Sequence, residues 1–186
     1  ELVAKYKSDH LHFVHDTLED SAQLEAYFRE HPRTYQCIIL AAGRPGLDNP
    51  ELSQEQNIAN FDRDNVLNKR VFIEAFVAAH PTPPKDPIKL VLICSHVATL
   101  TDEEISHAGF NNQIGYIYAM RKIKTFAQEV SEKYPEYFEV IIELTDKVKT
   151  PGFEKLRGQL EAAGITIGEG IDPEIYAEEL LTKIAL

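Results

Sequence analysis

Tyr118 stands four residues before Lys122 in the stretch YIYAMRK, which has the apolar spacing of a helix. Residues four apart on a helix are neighbours, so the lysine ammonium can stabilise the phenolate and lower the phenol pKa from its reference value of about 10. Such a phenol serves as a general acid or base near neutrality. The competing reading is a tyrosine and a lysine that share a solvated helix face, and in a chain with eight tyrosines the pair alone does not decide. Three further features bear on the choice. Ser95 ends the apolar run IKLVLICS, the run CIILAA leads through Ala41 and Ala42 into Gly43, and Asn65 begins the helix between those two runs. Small residues there let a backbone approach a ligand closely, and a serine at the carboxyl end of a parallel strand faces the crevice where ligands bind.

These residues need elements to position them. Four short apolar runs, at 10–15, 37–42, 88–95 and 138–144, alternate with longer patterns of helical period at 21–31, 62–79 and 116–133. Two more helices fit FEKLRGQLEAA before Gly164 and PEIYAEELLTKI behind Asp172 and Pro173. The last three runs are rich in Val and Ile, as strands buried on both faces are. Alternation of this kind predicts a three-layer α/β domain, a doubly wound parallel sheet with helices on both faces. TDEEISHAG, with Thr101 and Glu104 as a capping box, reads as a short helix above the site, either a substrate lid or a surface insertion.

Composition narrows the class. The 186 residues suffice for a single domain, 1–186, with a real core. A formal charge of -11 with no basic block argues against nucleic acid or an anionic membrane as partner. No apolar run is long enough to span a bilayer and the first residues are not a secretory signal, so the expected compartment is the cytoplasm. Cys37 and Cys94 lie inside apolar runs and read as core residues. No metal site is expected: strand alternation puts His15 on the face opposite His10 and His12. Ser95 beside His96 lacks the Gly-x-Ser-x-Gly elbow of a hydrolase.

In order and spacing, the Ala-Ala-Gly turn, Asn65, Ser95 and Tyr118-x-x-x-Lys122 resemble the short-chain dehydrogenase/reductase superfamily, whose fold is Rossmann-like. The resemblance implies an NAD(P)-dependent oxidoreductase moving hydride between nicotinamide (NAD or NADP) and a carbonyl or alcohol. It gives Ser95 the substrate oxygen, Tyr118 the proton, Lys122 the nicotinamide ribose and the tyrosine pKa, and Asn65 a proton-relay water. Asp16, Ala41, Ala42, Gly43, Lys122 and Thr150 would contact the cofactor. A small-molecule substrate and a homo-oligomer packed through helix 116–133 are implied as well.

The chain departs from the family pattern in several places. Leu40 and Ala41 replace two asparagines of the turn, and Thr145 and Asp146 stand where Pro-Gly usually ends the last strand. No Gly-x-x-x-Gly-x-Gly occurs in the sequence. The fold is therefore expected to be incomplete at both ends, as in a fragment of a longer protein. The long interval from Ser95 to Tyr118 also resembles the extended branch that modifies sugar nucleotides, so an epimerase or dehydratase is one alternative. A non-catalytic binding module on the same scaffold is the other.

Overall fold

A computed structural model describes residues 20–41, 43–107, 110–145, 147–162, 164 and 166–184. The expected strand at 10–15, and with it Asp16, His10, His12 and His15, lies outside the described residues, as do Ala42, Gly109 and Asp146. In chain order the described elements are α1 (Ser21–Glu30), β1 (Cys37–Leu40) and α2 (Gln54–Asp62), which runs through a π-helical turn (Arg63–Leu67) into α3 (Asn68–Ala79). Then come β2 (Ile88–Ser95), α4 (Asp102–His107), α5 (Ile114–Lys133), β3 (Phe138–Thr145), α6 (Pro151–Ala162) and α7 (Pro173–Lys183).

The three strands are parallel and ordered β1-β2-β3. Cys37 pairs with Lys89 through to Leu40 with Leu92, and Ile88 pairs with Phe138 through to Ser95 with Thr145. Each crossover contains a helix, as parallel pairing requires. Leu90, Val91 and Leu92 are fully buried at 0% exposure, because β2 is covered on both faces. Each contributes roughly 1.5–3 kcal/mol by leaving water.

One layer packs Leu24 and Phe28 of α1, Phe72, Ile73 and Phe76 of α3, and Met120, Ile123 and Phe126 of α5 against Ile38, Leu40, Leu90, Leu92 and Cys94. On the opposite face Leu180 of α7 and Ile184 meet Val91. Lys89 Nζ donates to the Ile184 carbonyl at 2.6 Å, and Lys183 pairs with Glu143 of β3, so α7 is held at both strands. The result is the expected three-layer Rossmann-like sandwich.

Helix termini follow the local sequence. Asp20 caps α1, accepting from Ala22 N at 2.9 Å and Gln23 N at 3.1 Å, and Asp172 caps α7, accepting from Glu174 N at 2.8 Å. The helix expected at 62–79 begins earlier, at Gln54. A capping box causes this: Gln56 N donates to Ser53 Oγ and Ser53 N to Gln56 Oε1, supplying the first-turn partners. Asn65 is therefore in mid-helix, within the π-helical turn, and does not open the helix.

Candidate functional site

The carboxyl ends of β1 and β2 gather most of the expected site residues. Asn65 is 2% exposed and ties the helix to the turn after β1. Its Oδ1 accepts from Arg44 N at 3.0 Å, while Nδ2 donates to the carbonyls of Arg44 at 3.2 Å and Phe61 at 2.9 Å. A Cβ on Gly43 would lie 2.4 Å from that Oδ1, so only glycine allows this approach. Asn65 thus supplies bonds to the turn that Leu40 and Ala41 have no polar side chains to make.

Under the turn lies a residue the sequence reading missed. Lys69, one helical turn after Asn65, is 2% exposed, and its Nζ donates to the Asn65 carbonyl at 2.9 Å. Burial lowers its pKa to about 8, against a smaller opposing effect of Cys94. Burial raises the Cys94 thiol in turn, and its Sγ donates to the Met120 carbonyl at 3.3 Å. A lysine on the apolar stripe of Val66, Ile73 and Phe76 was the available signal.

Ser95 is the last residue of β2, and its Oγ accepts a long 3.4 Å bond from Val97 N, capping a 3-10 turn at His96–Thr99. On α5, Tyr116 and Tyr118 differ in surroundings. The Tyr116 ring packs on the core and edge-on to Phe61, with centroids 6.0 Å apart. Burial pushes its phenol pKa up, and a hydrogen bond with the Ser95 side chain offsets part of that rise. Tyr118, two residues on, is 46% exposed.

Tyr118 and Lys122 are brought together as their spacing requires: the ammonium lies 5.5 Å from the ring centroid. Lys122 Nζ also donates to Asp62 Oδ2 at 2.9 Å, a partner that no local pattern reveals because it comes from α2. Asp62 Oδ1 is buried without a hydrogen-bond partner. Gly115 places both tyrosines. Its N–H donates to Asp48 Oδ1 at 3.1 Å, a carboxylate at the positive end of α5, and a Cβ there would be 2.8 Å from Phe61.

Ala41 is exposed beside the turn. Thr150, also exposed, accepts from Phe153 N at 3.2 Å and so caps α6. The capping box of α4 forms, with Thr101 N donating to Glu104 Oε2 at 2.7 Å and Glu104 N to Thr101 Oγ1 at 3.2 Å. Arg121 of α5 holds this segment through Asp102 at 2.9 Å and the Leu100 carbonyl at 2.7 Å.

Solved structures share this fold. A short-chain dehydrogenase from Streptomyces avermitilis superposes with a TM-score of 0.60 at 14% identity, over 100% of this chain and 70% of its own. One from Salmonella enterica serovar Typhi gives 0.63 at 13%, over 89% and 66%. An oxidoreductase of the short-chain dehydrogenase/reductase family from Burkholderia thailandensis gives 0.61 at 15%, over 81% and 54%. The chain has the short-chain dehydrogenase/reductase fold. It spans 54% to 70% of the length of these three structures. No protein-family model and no curated protein sequence matches it. Among the described residues no helix is long and apolar enough to cross a membrane.

Against a nicotinamide dinucleotide, the short-chain dehydrogenase/reductase fold of this chain fits at one end. Lys122 offers a half-exposed ammonium anchored by Asp62, next to Tyr118, and Ala41 and Gly43 are exposed. The glycine motif that would cradle a pyrophosphate is missing from the sequence.

Proposed function

We propose that the chain is the substrate-proximal part of an NAD(P)-dependent oxidoreductase acting on a carbonyl or alcohol. One observation supports this most: Ser95 ends the central described strand of a short-chain dehydrogenase/reductase fold, and the next long helix carries Tyr118 and Lys122 in contact. Bound nicotinamide would supply the hydride. Ser95 would polarise the substrate oxygen by donating its hydroxyl hydrogen, and Tyr118 would exchange the proton with that oxygen. Lys122, held by Asp62, would keep positive charge beside the phenol and donate to ribose hydroxyls. Asn65 holds the backbone of Arg44 next to Gly43, and the cofactor would contact Ala41, Ala42 and Gly43, with Thr150 and Asp16 as further contacts.

The same reading makes α5 the packing face of a homo-oligomer, for which light scattering at micromolar concentration should give a multiple of the chain mass. The cytoplasm remains its expected compartment.

The Asp62–Lys122 pair, which ties up part of the ammonium that would meet the ribose, favours a second reading, a non-catalytic module. Fluorescence titration of the full-length protein with NADH and NADPH separates the two. Binding, with turnover of a ketone panel that falls at least ~100-fold in Tyr118→Phe, supports the oxidoreductase. A full-length protein that binds neither cofactor is the module.

A further inference from the structure

Arg44 and Arg63 share one carboxylate. Arg44 Nη1 lies 3.5 Å from Asp64 Oδ2, and Arg63 Nε donates to Asp64 Oδ1 at 3.1 Å. The Asp64 side chain is mostly covered, at 16% exposure, whereas the two arginines are open at 59% and 55%. Two guanidinium groups against one carboxylate leave one net positive charge here, in a chain whose formal charge is -11. The neighbouring Asp62–Lys122 pair cancels itself. The surplus is therefore local to the two arginines, and it attracts an anion.

Arg44 is also held in place. Asn65 accepts from its N–H at 3.0 Å and donates to its carbonyl at 3.2 Å, and its guanidinium carbon stands 5.2 Å from the centroid of the buried Phe61 ring. A guanidinium stacked on a ring keeps the N–H donors of its edge for a ligand. Leu40 pairs with Leu92, so Gly43 and Ser95 each lie three residues beyond a paired couple on neighbouring strands, and Arg44 follows at the same rim of the sheet. α6 starts there too. A Cβ on Gly152, its second residue, would lie 3.6 Å from Pro45 Cγ, and the helix N-terminus adds to the positive potential.

We propose that Arg44 and Arg63, spread by Asp64, form a binding site for a phosphate group at the rim of the crevice that Ser95 enters. A tetrahedral phosphate has oxygens enough to meet an edge of each fork, while Asp64 keeps the two forks from turning away. In the oxidoreductase reading that phosphate belongs either to the dinucleotide, whose glycine motif the sequence lacks, or to a phosphorylated substrate. Which molecule brings it rests on that reading; the site does not.

Titration of the full-length protein with inorganic phosphate at constant ionic strength tests the site without turnover. The arginine Nε–Hε resonances lost in Arg44→Gln and in Arg63→Gln should move together in the wild type and saturate. Each single change should weaken phosphate about tenfold, the loss of one charge-assisted hydrogen bond. Resonances that do not saturate, that respond equally to acetate, or an affinity indifferent to Arg44→Gln overturn the inference. Two further arms identify the source. If the cofactor brings the phosphate, inorganic phosphate competes with NADH and Arg44→Gln raises the NADH Kd about tenfold. If the substrate brings it, NADH binding is unchanged in Arg44→Gln, while KM rises for reduction of dihydroxyacetone phosphate and not of cyclohexanone. A working enzyme in which neither arm responds overturns the placement at the rim. Saturable phosphate binding in a full-length protein that binds neither NADH nor NADPH overturns the oxidoreductase reading and leaves the phosphate site standing.

Discussion

Two lysines lie at the carboxyl end of the sheet under opposite conditions. Lys122 is 43% exposed in its side chain and faces a carboxylate, Asp62, at 2.9 Å. Lys69 is 2% exposed and donates to a backbone carbonyl at 2.9 Å. The first is recognisable by motif and costs the fold little. The second matches no motif, and a pKa lowered from 10.5 to about 8 means its charged form is disfavoured by about 3 kcal/mol in the folded state. What that charge holds in place is the carbonyl of Asn65, in a π-helical turn that points the asparagine side chain at Gly43 and Arg44. Such widened turns occur often at functional sites. The buried lysine thus belongs to the support of the site, and the exposed one to its surface.

That contrast can be broken experimentally. Asn65→Ala should have the largest effect, a loss of about 3–4 kcal/mol in urea unfolding, because Arg44 N, Arg44 O and Phe61 O lose their partner together. A loss under ~1 kcal/mol would mean the turn does not depend on it. Lys69→Met should instead stabilise the protein, by about 2 kcal/mol near neutral pH after the lost hydrogen bond is allowed for.

The sign of the pH dependence follows from the depressed folded pKa. Below about 8 both folded and unfolded states bind the Lys69 proton, and the penalty is constant; between about 8 and 10.5 the unfolded state binds more protons, so wild-type stability rises with pH. The advantage of Lys69→Met should therefore shrink across that window. A constant advantage would show that the lysine does not titrate there.

Smaller effects belong to the exposed region. Asp62→Asn should cost under ~1 kcal/mol, since its partner is well solvated, and the cost should diminish in high salt. Tyr118→Phe should leave the unfolding midpoint within about 0.5 kcal/mol of wild type, in keeping with a phenol at 46% exposure. If either change destabilised the fold as much as Asn65→Ala, the division between buried support and exposed surface would fail.

The same division governs what was legible in the sequence. Val- and Ile-rich runs announced β1, β2 and β3 and their parallel pairing, because burial on both faces leaves a composition signal. Thr101 with Glu104, and Asp172 with Pro173, announced their helices because capping is a local signal. Ser53 and Gln56 carried an equally local signal that the reading passed over, and so α2 was missed. The pairing of Tyr118 with Lys122 was legible from helical spacing, but Asp62 beside them was not, since nothing near Lys122 encodes a partner from another helix. Tyr116 shows a subtler limit. Its ring packs on the core and edge-on to Phe61, while burial raises the pKa of the phenol that the ring carries. Side chains with an apolar body and a polar end answer to two rules at once.

The register of the sheet has a kinetic consequence. Every strand pair here joins residues about fifty positions apart, Cys37 to Lys89 and Ile88 to Phe138, with no hairpin between them to nucleate the sheet. Each pairing must close a long loop before its first hydrogen bond forms, and the entropy of that closure is lost before any contact repays it. The α2–α3 helix can form early from local contacts, but the turn that Asn65 grips exists only after β1 has found β2. Stopped-flow refolding should therefore show helical signal well ahead of burial of the Lys69 amine, so that the turn where Asn65 meets Gly43 and Arg44 is among the last of the described parts to assemble.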